Sequence, residues 1–290
     1  MKRTMKNLIL LFAASLLAVS CVIRINGSSI VGICTEEGID YTEVREVSPF
    51  RGISAGLPCN VYYEQAPTQE VRVESTEEFA GKVITEVVNG TLNLKLEDGN
   101  YPKLILRIVV TTPDIESLHI SGSGYLVNEG GIHAGDDLDL HVSGSGGIRT
   151  GAIDSKDLTA HCSGSGSLRL ESIDCADFSG SVSGSGSVRV EKVACDDFSS
   201  TVSGSGHITI PVLTADGNVN ARISGSGRIR LEDATVNGNM ELKTTGAGGI
   251  TVNGSCHDVD ATTSGSGSIS GNLTYDNIRS HSSGSGNVRL

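Results

Sequence analysis

The tetrapeptide Ser-Gly-Ser-Gly begins at Ser121, Ser143, Ser163, Ser183, Ser203, Ser224, Ser264 and Ser283, and a degenerate copy, Thr245-Gly246-Ala247-Gly248, fills the gap. Successive copies start 19 to 22 residues apart. A fixed period near 20 is the signature of a solenoid, in which each repeat is one coil that cannot bury its apolar face alone and must stack on its neighbours. With 37 glycines in 290 residues the chain could pass for low complexity. Here, however, Ser and Gly recur at fixed offsets between alternating apolar segments, which marks order.

Residues at equal offset from the tetrapeptide form columns. Five positions before it stand Leu138, Leu158, Phe178, Phe198, Val219, Met240, Val259 and Ile278. One position before it stand Ile120, Val142, Cys162, Val182, Val202 and Ile223. Two positions after it stand Leu126, Ile148, Leu168, Val188, Ile208, Ile229, Ile250, Ile269 and Val288. The positions between are mostly polar, so the period is two and the segments are strands flanking a Gly-rich corner. A third apolar patch (Ile153, Ile173, Val193, Leu213) starts another face. Six positions before the tetrapeptide is Asp or Asn in eight copies, from Asp137 and Asp157 to Asn277. Such residues favour Asx-turns and suit the corner that opens a coil. The glycines suit the opposite corner, where positive φ or close backbone approach excludes a Cβ.

The expected fold is therefore all-β, a β-helix of about nine coils of about 20 residues, near 40 Å long at about 4.8 Å per coil. Upstream, Asn60–Tyr63, Glu70–Glu74, Thr91–Leu96 and Lys103–Thr111 read as strands, and Asn89-Gly90 as a hairpin turn. Glu77–Val87 is open between a short helix and a strand. The domain scheme is a signal peptide over 1–20, a lipid anchor and linker over 21–40, an N-terminal β cap over 41–118 and the repeat solenoid over 119–290. Residues 41–290 form one continuous domain in this scheme.

Lys2, Arg3 and Lys6, then an apolar stretch from Leu8 to Val19, read as an export signal too short for a comfortable membrane span. Ala18-Val19-Ser20-Cys21 looks like a lipobox with Cys21 as the lipidated residue, although the same tripeptide also suits an ordinary signal peptidase. The expected partner is thus the membrane, through a lipid on Cys21. A formal charge of −12, from 34 acidic and 22 basic residues, argues against nucleic acid.

With these columns in view, the chain resembles the bacterial family called putative auto-transporter adhesin, head GIN domain, common among Bacteroidetes lipoproteins. The carrying features are Phe50-Arg51-Gly52-Ile53-Ser54, Val71-Arg72-Val73-Glu74 and Thr91-Leu92-Asn93-Leu94-Lys95-Leu96. Arg107-Ile108-Val109-Val110-Thr111-Thr112-Pro113 and Ser121-Gly122-Ser123-Gly124 follow, so the resemblance spans about residues 45–290. It implies a right-handed β-helix and an envelope, outer-membrane location, and brings no catalytic residues. Surface lipoproteins of such bacteria often carry acidic residues just after the lipidated Cys, whereas Val22-Ile23-Arg24-Ile25-Asn26-Gly27 follows Cys21 here. Periplasmic and surface orientation therefore both stay open.

Three sets of residues could carry chemistry. His119, His141 and His161 stack on one outward column and could bind Zn²⁺, Cu²⁺ or Ni²⁺; the alternative is a solvated polar face. Arg149, Arg169, Arg189 and Arg230, with Arg289, form a second outward column that could hold an anionic glycan, or could pair with Glu171, Glu191 and Glu232. Cys175 and Cys195 share a column on adjacent coils, so a disulfide is conceivable, yet in-register Cβ atoms sit slightly too far apart for an unstrained bond. The alternative is that they are small buried residues like Cys162.

The function expected is a non-catalytic envelope protein with an adhesin or scaffolding role, binding a glycan or protein ligand and needing no cofactor. A β-helical polysaccharide-binding or polysaccharide-degrading protein is the alternative. Trp is absent and the acidic residues fall mainly in turn columns, which disfavours glycosidase chemistry. A flat Thr column for an ice or crystal surface is lacking. The last coil, ending at Leu290, offers an open edge on which a second copy could stack.

Overall fold

The structure, a computed structural model, describes residues 30–290; the expected leader and Cys21 lie outside these residues. The described chain begins with β1 (Ile30–Thr35) and β2 (Tyr41–Arg45) and makes a first coil from β3 (Gly52–Ala55) and β4 (Val61–Gln65). An excursion follows through β5 (Glu70–Ser75), the one-turn helix α1 (Glu77–Ala80), β6 (Val83–Val88), β7 (Thr91–Leu96) and β8 (Asn100–Thr112). The ambiguous stretch from Glu77 is therefore a helix and then a strand. The Thr76 hydroxyl accepts from the Phe79 N–H to start α1, and Glu77 and Glu78 favour its positive end. Asn89 (φ 50°) and Gly90 (φ 74°) close the β6–β7 hairpin, as Asn-Gly predicts.

The repeats form β9 (Ser117–Ile120), β10 (Tyr125–Asn128), β11 (Ile132–His133), β12 (Leu138–Val142), β13 (Gly147–Asp154) and β14 (Asp157–Cys162). Two long strands that run round a whole coil follow, β15 (Ser167–Val182) and β16 (Ser187–Val202). The later coils supply β17 (His207–Ala215), β18 (Val219–Ile223), β19 (Arg228–Val236), β20 (Met240–Gly246) and β21 (Gly249–Ser255). The last are β22 (Asp258–Gly265), β23 (Ser268–Thr274), β24 (Asn277–Gly284) and β25 (Asn287–Arg289).

Strands before each corner stack in parallel as one wall, from β3 and β9 to β24, and strands after it as a second, from β4 and β10 to β25. Equal offsets become vertical neighbours: Val182 registers with Val202, and Val202 with Ile223. In the second wall Leu168, Val188, Ile208 and Ile229 register in turn. All seven are at most 2% exposed. Alternation sends every second side chain inside, and successive coils add like residues to like, as with the stacked rings of Phe178 and Phe198, 5.2 Å apart.

The cap closes the N-terminal end. β7 pairs with the outer edge of β3, and β8 with that of β4, while β5 and β2 continue beyond β8. Val71, Val73, Leu92, Leu94, Leu104 and Leu106 are fully buried there, covering the apolar interior that a bare first coil would expose. Two boundaries shift from expectation. β1 pairs with β8 from Ile30 to Thr35, so part of 21–40 belongs to the cap rather than to a linker. β3 and β4 are already in register with β9 and β10, so stacking begins before residue 119. At the other end β24 is exposed throughout. Among the described residues no helix is long and apolar enough to cross a membrane.

Close approach, more than positive φ, explains the corner glycines. Only Gly246, Gly265 and Gly284 of the tetrapeptide positions have positive φ. A Cβ on Gly184 would stand 2.3 Å from the Gly164 carbonyl oxygen one coil away. The same carbonyl accepts from the N–H groups of Ser185 and Gly186, both at 3.1 Å, so the hydrogen-bond ladder turns the corner unbroken. The Asp and Asn column also acts between coils rather than within its own turn. Asp157 Oδ1 accepts from the Asp177 N–H at 3.2 Å, and Asp197 Oδ1 from the Asn218 N–H at 2.6 Å.

Gly184→Ala is expected to destabilise the protein by about 1–3 kcal/mol, since the clash is with backbone that cannot move aside. Gly135→Ala, where nothing lies within 4 Å, is expected to leave the thermal midpoint nearly unchanged. Thermal unfolding of both variants followed by circular dichroism checks the contrast.

Candidate functional site

Residues three positions after each tetrapeptide lie on the outer surface of the second wall, because those two positions after it point inward. Arg149 on β13, Arg169 on β15 and Arg189 on β16 register directly, followed by Thr209 on β17, Arg230 on β19 and Thr251 on β21. Their surroundings differ. Arg189 makes a bidentate pair with Glu191, Nε and Nη2 donating at 2.5 and 2.8 Å, which raises the Arg189 pKa and lowers that of Glu191. Arg230 reaches Glu232 only at 4.0 Å. Arg149 lies over the Tyr125 ring, 4.4 Å from its centroid. Among the described residues Arg169 has neither a carboxylate nor a ring partner. Pairing with the neighbouring glutamates thus accounts for Arg189, loosely for Arg230, and not for Arg149 or Arg169.

Sequence columns alone missed the aromatic part of this wall. Tyr125 stands beside Gly147, whose missing Cβ would meet the ring at 2.9 Å, and that gap lets the ring lie flat under Arg149. The available signal was the pair itself, the column's one tyrosine, Tyr125, followed one coil on by Gly147. One level nearer the cap, the guanidinium of Arg107 lies 4.4 Å over the Tyr62 ring, while the Tyr62 hydroxyl donates to Glu36 at 2.6 Å. Burial, and then this bond, raise the Tyr62 pKa.

Two recesses open on the same wall. The larger, about 970 Å³, sits where the cap meets the first coils and is lined by Tyr62, Arg107, Val127, Glu129, His133 and Asp154 among others. It lies where the coil after Ser121 carries one extra residue between Asn128 and Ile132, and Gly131 (φ 83°) breaks β10 from β11. Gln65 bridges the break: its Oε1 accepts from the His133 N–H and its Nε2 donates to the His133 carbonyl, both at 2.8 Å. His133 Nδ1 meets Asp154 Oδ2 at 3.0 Å. The smaller recess, about 430 Å³, lies between Arg169, Glu171, Arg189, Glu191, His207 and Thr209.

His119, His141 and His161 do stack, on the outer surface of the first wall. The His119 and His141 rings are nearly parallel at 4.6 Å, and His161 is edge-on to His141 at 4.8 Å. Ring nitrogens carry their lone pairs in the ring plane, so the parallel rings of His119 and His141 do not aim theirs at one ion. A nitrogen of each instead meets a serine hydroxyl one coil on: Ser143 at 3.1 Å, Ser163 at 3.4 Å and Ser181 at 2.6 Å. Among the described residues no cluster of three or more His, Cys, Asp or Glu side chains is arranged to hold a metal.

Residues 49–233 and, overlapping them, 216–290 match the family described as putative auto-transporter adhesin, head GIN domain. The chain belongs to that family. Solved structures share its fold over nearly their whole length. A crystal structure described as a putative adhesin from Parabacteroides merdae superposes with a TM-score of 0.65 at 14% identity, covering 88% of this chain and 98% of that one. Two from Parabacteroides distasonis behave alike. One, described as a putative adhesin, has TM-score 0.62, 18% identity and coverage of 88% and 98%. The other, described as a putative lipid binding protein, has 0.60, 19%, and coverage of 88% and 97%. At these identities the likeness is of fold alone. Comparison with curated proteins gives no match.

The head GIN domain carries its disulfide in the cap, not in the repeats. Cys34 and Cys59 are bonded, with Cα atoms 5.6 Å apart, tying the segment around β1 to the first coil. Neither lies in a repeat column, so no periodic signal marked them. Of the two readings open for Cys175 and Cys195, the structure shows two buried thiols, although the residues register directly. In-register neighbours on parallel strands hold their Cβ atoms a full strand spacing apart, about 4.8 Å, beyond the usual disulfide range. Burial pushes both thiols up to about 12 and Cys256 to about 11, so all three are poor nucleophiles.

Two outcomes follow for the domain. Reducing Cys34–Cys59, or making Cys34→Ser with Cys59→Ser, is expected to cost about 3 kcal/mol, read as a lower urea midpoint. The imidazole stack makes stability pH-dependent. Burial lowers all three His pKa values, the neighbouring imidazole lowers those of His141 and His161 further, and Asp139 opposes this. A depressed folded pKa gives stability that is present above the unfolded value near 6.5 and lost as pH falls below it. Thermal midpoints are expected to drop between pH 7.5 and 5, and to drop less in a variant with all three His→Ser.

Proposed function

We propose that this head GIN protein is a non-catalytic component of the cell envelope, anchored through a lipid on Cys21, that holds a ligand against the outside of a rigid solenoid. The observation that carries this is the second wall. Its outer surface presents registered cationic and aromatic side chains on a scaffold whose interior is filled by residues almost without exposure. A filled interior leaves an acyl chain no place inside, so any ligand meets the outer surface. A family described by adhesion rather than by a reaction, with crystal structures described as putative adhesins on the same fold, supports an envelope role. The repeated corners hold no singular nucleophile with a base and an acid of its own, as covalent catalysis requires.

Mass analysis of the protein purified from membranes is expected to show acyl groups on Cys21, and Cys21→Ser to release it from the membrane. Incubation with a panel of neutral and acidic glycans is expected to give no new reducing or unsaturated ends. Product release from any of them would replace the binding role with an enzymatic one. Protease treatment of intact cells separates adhesion from a periplasmic task, since an adhesin is cleaved and a periplasmic protein is spared.

A further inference from the structure

We infer that the partner of the second wall is a linear acidic polysaccharide lying along the solenoid axis, its carboxylates on Arg149, Arg169 and Arg189; this rests on the binding role proposed above. Each coil advances about 4.8 Å, so Arg149 and Arg189 stand about 9.6 Å apart. That is close to the length of one extended disaccharide. A uronic acid in every second ring would therefore meet every second arginine, and one in every ring would meet each in turn.

The side chains suit this use. A guanidinium presents a planar fork that a carboxylate satisfies with two parallel hydrogen bonds. Among the described residues Arg169, at the centre of the column, has its fork uncommitted, and Tyr125 beneath Arg149 holds that group in place before a ligand arrives. Arg189, whose Nε and Nη2 already donate to Glu191, meets a ligand carboxylate through its outer Nη1–Nη2 end. Glu171, Glu191 and Thr209 in the adjoining recess supply acceptors and a hydroxyl for sugar hydroxyl groups.

Charge selects among anionic partners. The glutamates recur two residues from the arginines, so a nucleic acid, with a charge every ~1.7 Å of duplex, would meet carboxylates as often as guanidiniums. A sparser polymer sets its charges on the arginines and its hydroxyls on the glutamates. An anionic membrane would want apolar side chains to insert beside the cations, and this column is flanked by Ser167, Ser187, Glu171 and Glu191.

The test measures binding of the full chain to immobilised polygalacturonate, with dextran as the neutral control. Wild type is expected to bind polygalacturonate and not dextran, more weakly as salt rises. Arg169→Glu is expected to weaken binding about tenfold or more with its thermal midpoint unchanged. Arg279→Glu, the same charge change on β24 of the other wall, is expected to leave binding as it was. Equal losses in the two variants would reduce the effect to net charge and overturn the inference, as would failure to bind polygalacturonate. Duplex DNA or phosphatidylserine vesicles bound as tightly, with the same Arg169→Glu loss, would overturn the choice of partner. Binding of dextran or of a protein ligand, indifferent to Arg169→Glu, would leave the binding role standing and remove the acidic polysaccharide from it.

Discussion

The walls of every coil of this protein must lie in register on those of the one before it, and the narrowest point of that requirement is the Gly-rich corner. There the backbones approach so closely that a single Cβ would fall on a carbonyl oxygen, yet the N–H groups of the third and fourth residues still reach the first glycine of the preceding coil. Because the ladder survives the corner, the walls on either side stay in register. Apolar residues at equal offsets then pile into an interior that excludes water, and the hydrophobic term adds coil by coil.

The same constraint sorts structure from chemistry. Whatever repeats in every coil is needed to make the coil, as the valine columns and the Asp and Asn ladder show. What varies on the outside is free to serve a ligand. Thus the arginine column changes partner from Tyr125 to none to Glu191 over three coils, although the backbone beneath it is nearly invariant. The larger recess exists where the repeat itself falters, at the longer coil with Gly130 and Gly131.

Periodicity made the repeat portion legible before any coordinates: the strands, their inward residues and the stacking of Val182, Val202 and Ile223 all follow from offsets. The hairpin at Asn89-Gly90 was legible from turn chemistry. Long-range features outside the period were not. The Cys34–Cys59 bond joins two aperiodic segments, and the pairing of β1 with β8 depends on the path of the cap. In the site, offsets placed the arginines and histidines correctly on their columns but could not give ring orientation. That is why the face-to-face packing of His119 on His141, with His161 edge-on, and Tyr125 under Arg149 were not foreseen.

Pulsed electron paramagnetic resonance on spin-label pairs addresses the stacking itself. Thr159, Ser179, Ser199, Asn220, Glu241, Asp260 and Arg279 form one registered outward column of the first wall. With one label at Thr159 and the second at Glu241, Asp260 or Arg279, the distances are expected to rise linearly by about 4.8 Å per coil, from about 19 to about 29 Å. Distances that fail to rise coil by coil, or that scatter broadly, would contradict the in-register stack on which the fold and its binding wall depend.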